Sequence, residues 1–237
     1  MPDPSRTGIA TIGARFWERA LDLVFPQRCV GCSEFGSPIC ERCTATMTAA
    51  EPPRCDVCWT PRDRQNVCRD CRTKRPAFQQ LRSAFVYEGV ARDAVIALKF
   101  GGLSSIAPLM AGLIDEQLSD WGPQVNTIVP VPLASGRKRS RGYDQAEMIA
   151  NELSKRWRLP CESRALKRAR GTAPQVEQAD ESARRRNVRD AFSPGSRGVE
   201  GGVLLVDDVV TTGATLDACA NVLIQSGAGP VFALTFA

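Results

Sequence analysis

The sequence predicts an α/β protein: a mainly parallel sheet with helices on both faces, preceded by a small cysteine-rich module. Three observations carry that expectation. Short buried-looking apolar runs such as "NTIVPVPL" and "GGVLLVDD" alternate with helical stretches, the order that gives parallel strands joined by helices. Eight of the ten cysteines fall between Cys29 and Cys71, in four pairs of one spacing. At 237 residues the chain has room for one domain of ordinary size and a small addition.

Composition narrows the classes. Hydrophobic content of 43% and charged content of 24% suit a soluble globular chain. The net charge of +5 permits an anionic partner without naming one. No run approaches the roughly 18 apolar residues that span a bilayer. At the N-terminus, Ile9, Ile12, Phe16, Ala20 and Val24 recur at helical spacing, so an amphipathic helix is expected over residues 1–28. Arg15, Glu18, Arg19 and Asp22 interrupt any signal-peptide core, and a cytoplasmic location follows as the expectation. Peripheral contact of this helix with a membrane surface is the minor alternative.

Residues 29–75 form the cysteine module. "CVGC", "CERC", "CDVC" and "CRDC" set Cys29, Cys32, Cys40, Cys43, Cys55, Cys58, Cys68 and Cys71 in tight turns. Two such turns close a tetrahedral thiolate site, so the eight can hold one or two structural Zn²⁺ ions. The chain has no histidine, which makes all-thiolate sites the expectation. A disulfide framework belongs to oxidising compartments, and iron–sulfur motifs are usually spaced differently. Spacing is compatible with sequential pairing and with cross-bracing. The stretches between the pairs are poor in apolar residues, so metal binding would supply most of the module's folding free energy. Cys161 and Cys219 read as small core residues.

After the boundary at "KRPAFQQ" the second region, 81–237, begins. "LRSAFVYEG" reads as a strand, and "VARDAVIALKF" as a helix ending at Gly101-Gly102. "IAPLMAGLIDEQL" is a helix and "NTIVPVPL" a strand. "GYDQAEMIANELSKRW" is an amphipathic helix with Ala146, Ile149, Ala150 and Leu153 on one face. "GGVLLVDD" is a strand, "LDACANVLIQSGA" a helix and "VFALTFA" the last strand. "KRARGTAPQVEQADESARRRNV" has few apolar residues and reads as a long loop.

"VLLVDDVVTTGAT" carries the chemistry. Asp207 and Asp208 fall at the carboxyl end of a buried strand, where open α/β sheets place their ligands. Thr211, Thr212, Gly213, Ala214 and Thr215 then enter a helix, presenting backbone N–H groups and hydroxyls suited to a phosphate. The carboxylates would repel that phosphate, but suit hydroxyl groups or a hydrated cation close by. A phosphate beside a diol describes a ribose 5-phosphate.

This stretch resembles the phosphoribosyl pyrophosphate motif of type I phosphoribosyltransferases. The resemblance implies that Asp207 and Asp208, the candidate catalytic pair, contact the ribose hydroxyls, while residues 211–215 hold the 5-phosphate. With "CVGC" and its partners, "LKFGG", "VPVPLASGRKRSRGYDQAEMIA" and "RRRNVRDAF", the chain resembles the ComF family. ComF proteins carry a cysteine-rich module on a phosphoribosyltransferase domain and usually read Arg-Gly-Phe-Asn-Gln where this chain has Arg141-Gly142-Tyr143-Asp144-Gln145. The acid at 144 puts any amide-specific contact there in doubt. In related transferases the loop after this strand receives pyrophosphate, a role that would fall on Arg137, Lys138, Arg139 and Arg141. The family implies phosphoribosyl transfer with Mg²⁺ to an acceptor nothing here specifies. The alternative is a non-catalytic role in natural competence, with single-stranded DNA and the uptake machinery as partners. Aromatic content of 6% weakens the DNA alternative, since single-strand binding leans on stacking rings.

Overall fold

Four parallel strands form one sheet in the order β1-β6-β5-β2: β1 Leu81–Ser83, β2 Thr127–Pro130, β5 Val203–Asp207 and β6 Val231–Thr235. The computed structural model describes residues 27–133, 142–168 and 191–237. The expected helix over 1–28 lies almost wholly outside the described residues, as do Arg137, Lys138, Arg139 and Arg141 and the long loop from residue 169.

The central strands β5 and β6 are mostly apolar because both faces are covered. In β5 the alternation of side chains divides the core in two. Leu204 and Val206, with Ile128 and Leu234, join the first cluster. Its helices are α3 (Gly89–Phe100), α4 (Ala107–Gln117, entered through a 3₁₀ turn at Ser104–Ile106) and α5 (Gln145–Trp157). Val203 and Leu205, with Val129, Val231 and Ala233, join the second, under α6 (Ala214–Gln225). Val203 to Val206 are fully buried, worth at most about 1.5–3 kcal/mol apiece by area.

The cysteine module is built into these cores. It has two short helices, α1 (Glu41–Thr44) and α2 (Arg69–Thr73). Cys29, Ile39 and Cys43 belong to the first cluster; Cys55, Val57, Trp59, Cys68 and Cys71 belong to the second. Each half of the module thus packs into the core of one sheet face.

The helices of the second region stand close to where periodicity places them, with Ala146, Ile149, Ala150 and Leu153 buried as expected. Three details differ. The strand expected through "LRSAFVYEG" ends at Ser83; beyond it the Phe85 N–H still bonds Phe236, while the Ala84 carbonyl and Val86 N–H pair with Ala50 and Thr48 of the module. Helix α6 starts at Ala214, two residues before its apolar pattern, because left-handed Gly213 (φ +73°) lets the chain turn at once into a helix. Lys167 and Arg168 were expected in the long loop. They belong instead to β3 (Leu166–Arg168), paired antiparallel with β4 (Phe192–Pro194), and Leu166 and Phe192 bury against α6. Strands of three residues are too short to show a period.

Candidate functional site

The thiolates fall into two quartets in chain order, Cys29/Cys32/Cys40/Cys43 and Cys55/Cys58/Cys68/Cys71, with all Sγ atoms of a quartet within 4.8 Å of one another. Pairing is therefore sequential, the point that spacing left open. A tetrahedral zinc with bonds of about 2.3 Å requires sulfurs about 3.8 Å apart. Cys32–Cys40 and Cys58–Cys68 are both at 3.7 Å.

Backbone donors complete the cradles. The N–H of Cys40 donates to Cys29 Sγ (3.4 Å), those of Val57 and Cys68 donate to Cys55 Sγ (3.4 and 3.2 Å), and that of Cys71 to Cys68 Sγ (3.4 Å). Burial would raise the first thiol of each quartet, but these hydrogen bonds outweigh it and bring Cys29 and Cys55 down to about 6. The last thiol absorbs the crowding. Burial, reinforced by its neighbours' sulfurs, pushes Cys43 up to about 12 and Cys71 higher. Four thiolates this close need a central cation to ionise together, and the donor set fits Zn²⁺.

The second site lies at the carboxyl end of the sheet. Asp207 is the last residue of β5, and Asp208 follows, buried. A cavity of about 250 Å³ opens there, lined by Asp207, Asp208, Asp144, Lys99, Arg168 and Thr215 among others. The structure thus brings the predicted acid pair together with three charged groups from distant parts of the chain.

Lys99, one residue before the end of α3, reaches Asp208 Oδ1 at 2.8 Å. Asp144 caps α5: one oxygen accepts the Glu147 N–H (3.4 Å) and the other the Leu133 N–H (2.9 Å). Both oxygens act as acceptors, a role the acid at 144 fills. Asp207 is held between opposing influences. Burial, then the like charge of Asp208, pushes its carboxyl well above the usual range; the Asp208 N–H and Lys99 oppose this, and Asp144 adds to it. Cys219 lies buried behind Asp207, its thiol raised first by burial and then by that carboxylate, as a core residue would be.

Val209 and Thr215, on either side of the loop 210–214, line the cavity. The Val210 N–H is anchored on the Ala237 carbonyl (2.9 Å), while the amides of Thr211, Thr212 and Gly213 have no acceptor among the described residues. Thr211 and Thr212 are exposed; Ala214 and Thr215 open α6, where the helix dipole adds partial positive charge. Sequence reasoning missed Lys99 and Arg168. Lys99 was visible only as part of "LKFGG", and nothing local says that its ammonium meets a carboxylate that follows β5.

A family model described as a double zinc ribbon domain matches residues 20–72. The DNA utilization protein YhgH of Salmonella typhi is 32% identical over 200 residues, covering 81% of this chain and 87% of its own length. The chain belongs to the ComF family. Competence protein ComFC of Bacillus subtilis is 26% identical over 196 residues (80% and 79% of the two chains), and competence protein F of Haemophilus influenzae is 37% identical over 108 (42% and 44%). Among solved structures, the glutamine phosphoribosylpyrophosphate amidotransferase of B. subtilis covers 60% of this chain and 30% of its own. That match has 18% identity and a TM-score of 0.39, a likeness too slight to carry weight. This ComF protein therefore joins two zinc ribbons to a parallel α/β sheet, and no helix among its described residues is long and apolar enough to cross a membrane.

Proposed function

We propose that this ComF protein binds phosphoribosyl pyrophosphate at the carboxyl end of β5 and transfers its phosphoribosyl group. One observation carries the reading: the carboxylate pair lines one cavity with Lys99, Arg168 and Asp144, and so do Val209 and Thr215, which flank a loop with unengaged amides. The amides of Thr211, Thr212 and Gly213, with the hydroxyls of Thr211, Thr212 and Thr215, suit the 5-phosphate. Asp207 and Asp208 accept hydrogen bonds from the ribose 2- and 3-hydroxyls and fix the ring. Lys99 keeps Asp208 oriented and offsets part of the negative charge of the acid cluster. Arg137, Lys138, Arg139 and Arg141 are the candidates to receive pyrophosphate.

In the reaction the C1–oxygen bond to pyrophosphate breaks and the pyrophosphate leaves with the electron pair. A lone pair of the acceptor nitrogen forms the new bond at C1, and the acceptor's proton passes to water. Asp207 and Asp208 favour this step by placing anionic oxygens near a ring that gains positive charge. Mg²⁺ arriving with the substrate would neutralise charge on the leaving group, and these carboxylates are the hard oxygen donors it takes.

Calorimetric titration of phosphoribosyl pyrophosphate with Mg²⁺ tests the binding. Heat from the wild type and none from Asp207→Asn/Asp208→Asn is expected; no heat from either sinks the reading. Pyrophosphate release during an acceptor screen then tests turnover. A second reading, handling of single-stranded DNA without turnover, is supported by the relatives' names, "DNA utilization protein" and "competence protein".

A further inference from the structure

A larger groove lies at the opposite end of the sheet from the acid pair. Its lining comes from the residues just before β1 and β2 and from the start of β6: Gln79, Gln80, Trp121, Gln124 and Phe232, with Arg75 at the edge, around a space of about 520 Å³. One strand length, roughly 15 Å, separates it from Asp207.

The groove holds a fixed aromatic platform. Trp121 packs its edge against Phe232, with centroids 6.4 Å apart at 72°, and its indole N–H donates to Gln80 Oε1 at 3.2 Å. That bond and contact settle the ring before any ligand arrives, which lowers the entropy cost of stacking on it. Both rings are half-buried, so neither is fully spent on the core. Gln79 and Gln124 are exposed, and their side-chain amides have no protein partner among the described residues, so each offers donors and an acceptor together.

Charge favours an anion. The segment leading to the groove carries exposed Arg69, Arg72, Lys74 and Arg75 against one acid, Asp70; Asp120 beside Trp121 is a single counterweight. Arg82 extends the stack from below, its guanidinium 5.8 Å from the Trp121 ring and 4.0 Å from that of Trp59. A ring platform and free amides in one groove, with Arg75 at its edge and further cations on the segment leading to it, are what an unpaired base and its phosphates require. A duplex hides its bases and cannot use the platform.

We propose that this groove binds single-stranded nucleic acid, stacking a base on Trp121 beside Phe232, with phosphates toward Arg75 and Lys74. The proposal deepens the second functional reading and does not depend on phosphoribosyl transfer.

The test uses the full-length zinc-loaded protein and a fluorescein-labelled 20-nucleotide oligo(dT), followed by fluorescence anisotropy between 50 and 200 mM salt. Ultraviolet crosslinking and peptide mapping locate the contact. Expected results are crosslinks at Trp121 or Phe232, and no competition by phosphoribosyl pyrophosphate with Mg²⁺. Arg75→Glu, at an exposed position that leaves the fold alone, should weaken binding about fivefold or more and flatten the salt slope by about 0.7. Trp121→Ala should weaken it about tenfold or more, provided its melting curve stays cooperative. Crosslinks that map elsewhere, with Arg75→Glu binding as the wild type does, overturn the groove while sparing the DNA reading. No binding by the wild type overturns both.

Discussion

Lys99→Met tests whether the acid cluster depends on one ammonium. Lys99 and Asp208 form an ion pair at 2.8 Å, with side-chain exposures of 22% and 7%. Removing one partner of a buried pair costs about 3–5 kcal/mol, and the partial exposure of Lys99 points to the lower end, about 3. For a chain of this size each kcal/mol moves the melting temperature by about 2–4 °C, so a fall of about 6–12 °C is expected at pH 7.5. The deficit should shrink as pH falls. Without the ammonium, the Asp207 carboxyl, already raised by burial and by the charge of Asp208, loses the cation that lowers it, and its protonation relieves the repulsion. Thermal melts at pH 7.5 and 4.5 check both statements. Lys99→Met/Asp208→Asn should recover part of the loss, because the uncompensated carboxylate goes with the lysine. A fall below about 1 °C, or a double variant as unstable as the two single effects summed, would refute the pairing.

Asp207→Asn should raise the melting temperature at pH 7 while abolishing phosphoribosyl pyrophosphate binding. A carboxyl raised in the folded state costs stability as pH climbs from its unfolded value toward its folded one, so the gain should vanish near pH 3–4. Metal analysis should find two zinc ions per chain, one in Cys29→Ser/Cys43→Ser and one in Cys55→Ser/Cys71→Ser, and chelation should broaden the melt of the whole chain, since each quartet shares a core with one sheet face. Gly213→Ala should cost about 1–2 kcal/mol from its left-handed backbone alone, because the added Cβ would stand 3.8 Å from the Phe78 ring. Titration calorimetry would then show weakened binding of the 5-phosphate end. Asp144→Ala should cost about 1–2 kcal/mol in chemical denaturation through the lost cap and the stranded Leu133 amide.

Much of this was legible from local patterns. An apolar run buried on both faces, followed by Asp207-Asp208 and Thr211 to Thr215, places an acid pair, a turn and a helix start at a strand end, because the three are adjacent in the chain. Four identical cysteine turns announce metal with equal clarity, since two sulfurs of each site are set by one turn. The β3–β4 hairpin was not legible: its three-residue strands stand far apart in sequence and owe their existence to contact with α6. Nor was the pairing of Ala84 to Val86 with Thr48 and Ala50 of the cysteine module, residues more than thirty positions away in the chain.

By itself the amino-acid sequence determined the α/β class, the position of the acid pair and the threonine-rich loop after it, and the identity of the eight thiolates. Each of these is a property of a few consecutive residues. Only the tertiary structure decided which cysteine turns share a metal, that Lys99 answers Asp208, that both oxygens of Asp144 serve as acceptors, and that Trp121, Phe232 and Arg75 meet in one groove. Those are juxtapositions of residues far apart along the chain. They come from sheet order and from packing on each sheet face, which no local window of sequence encodes.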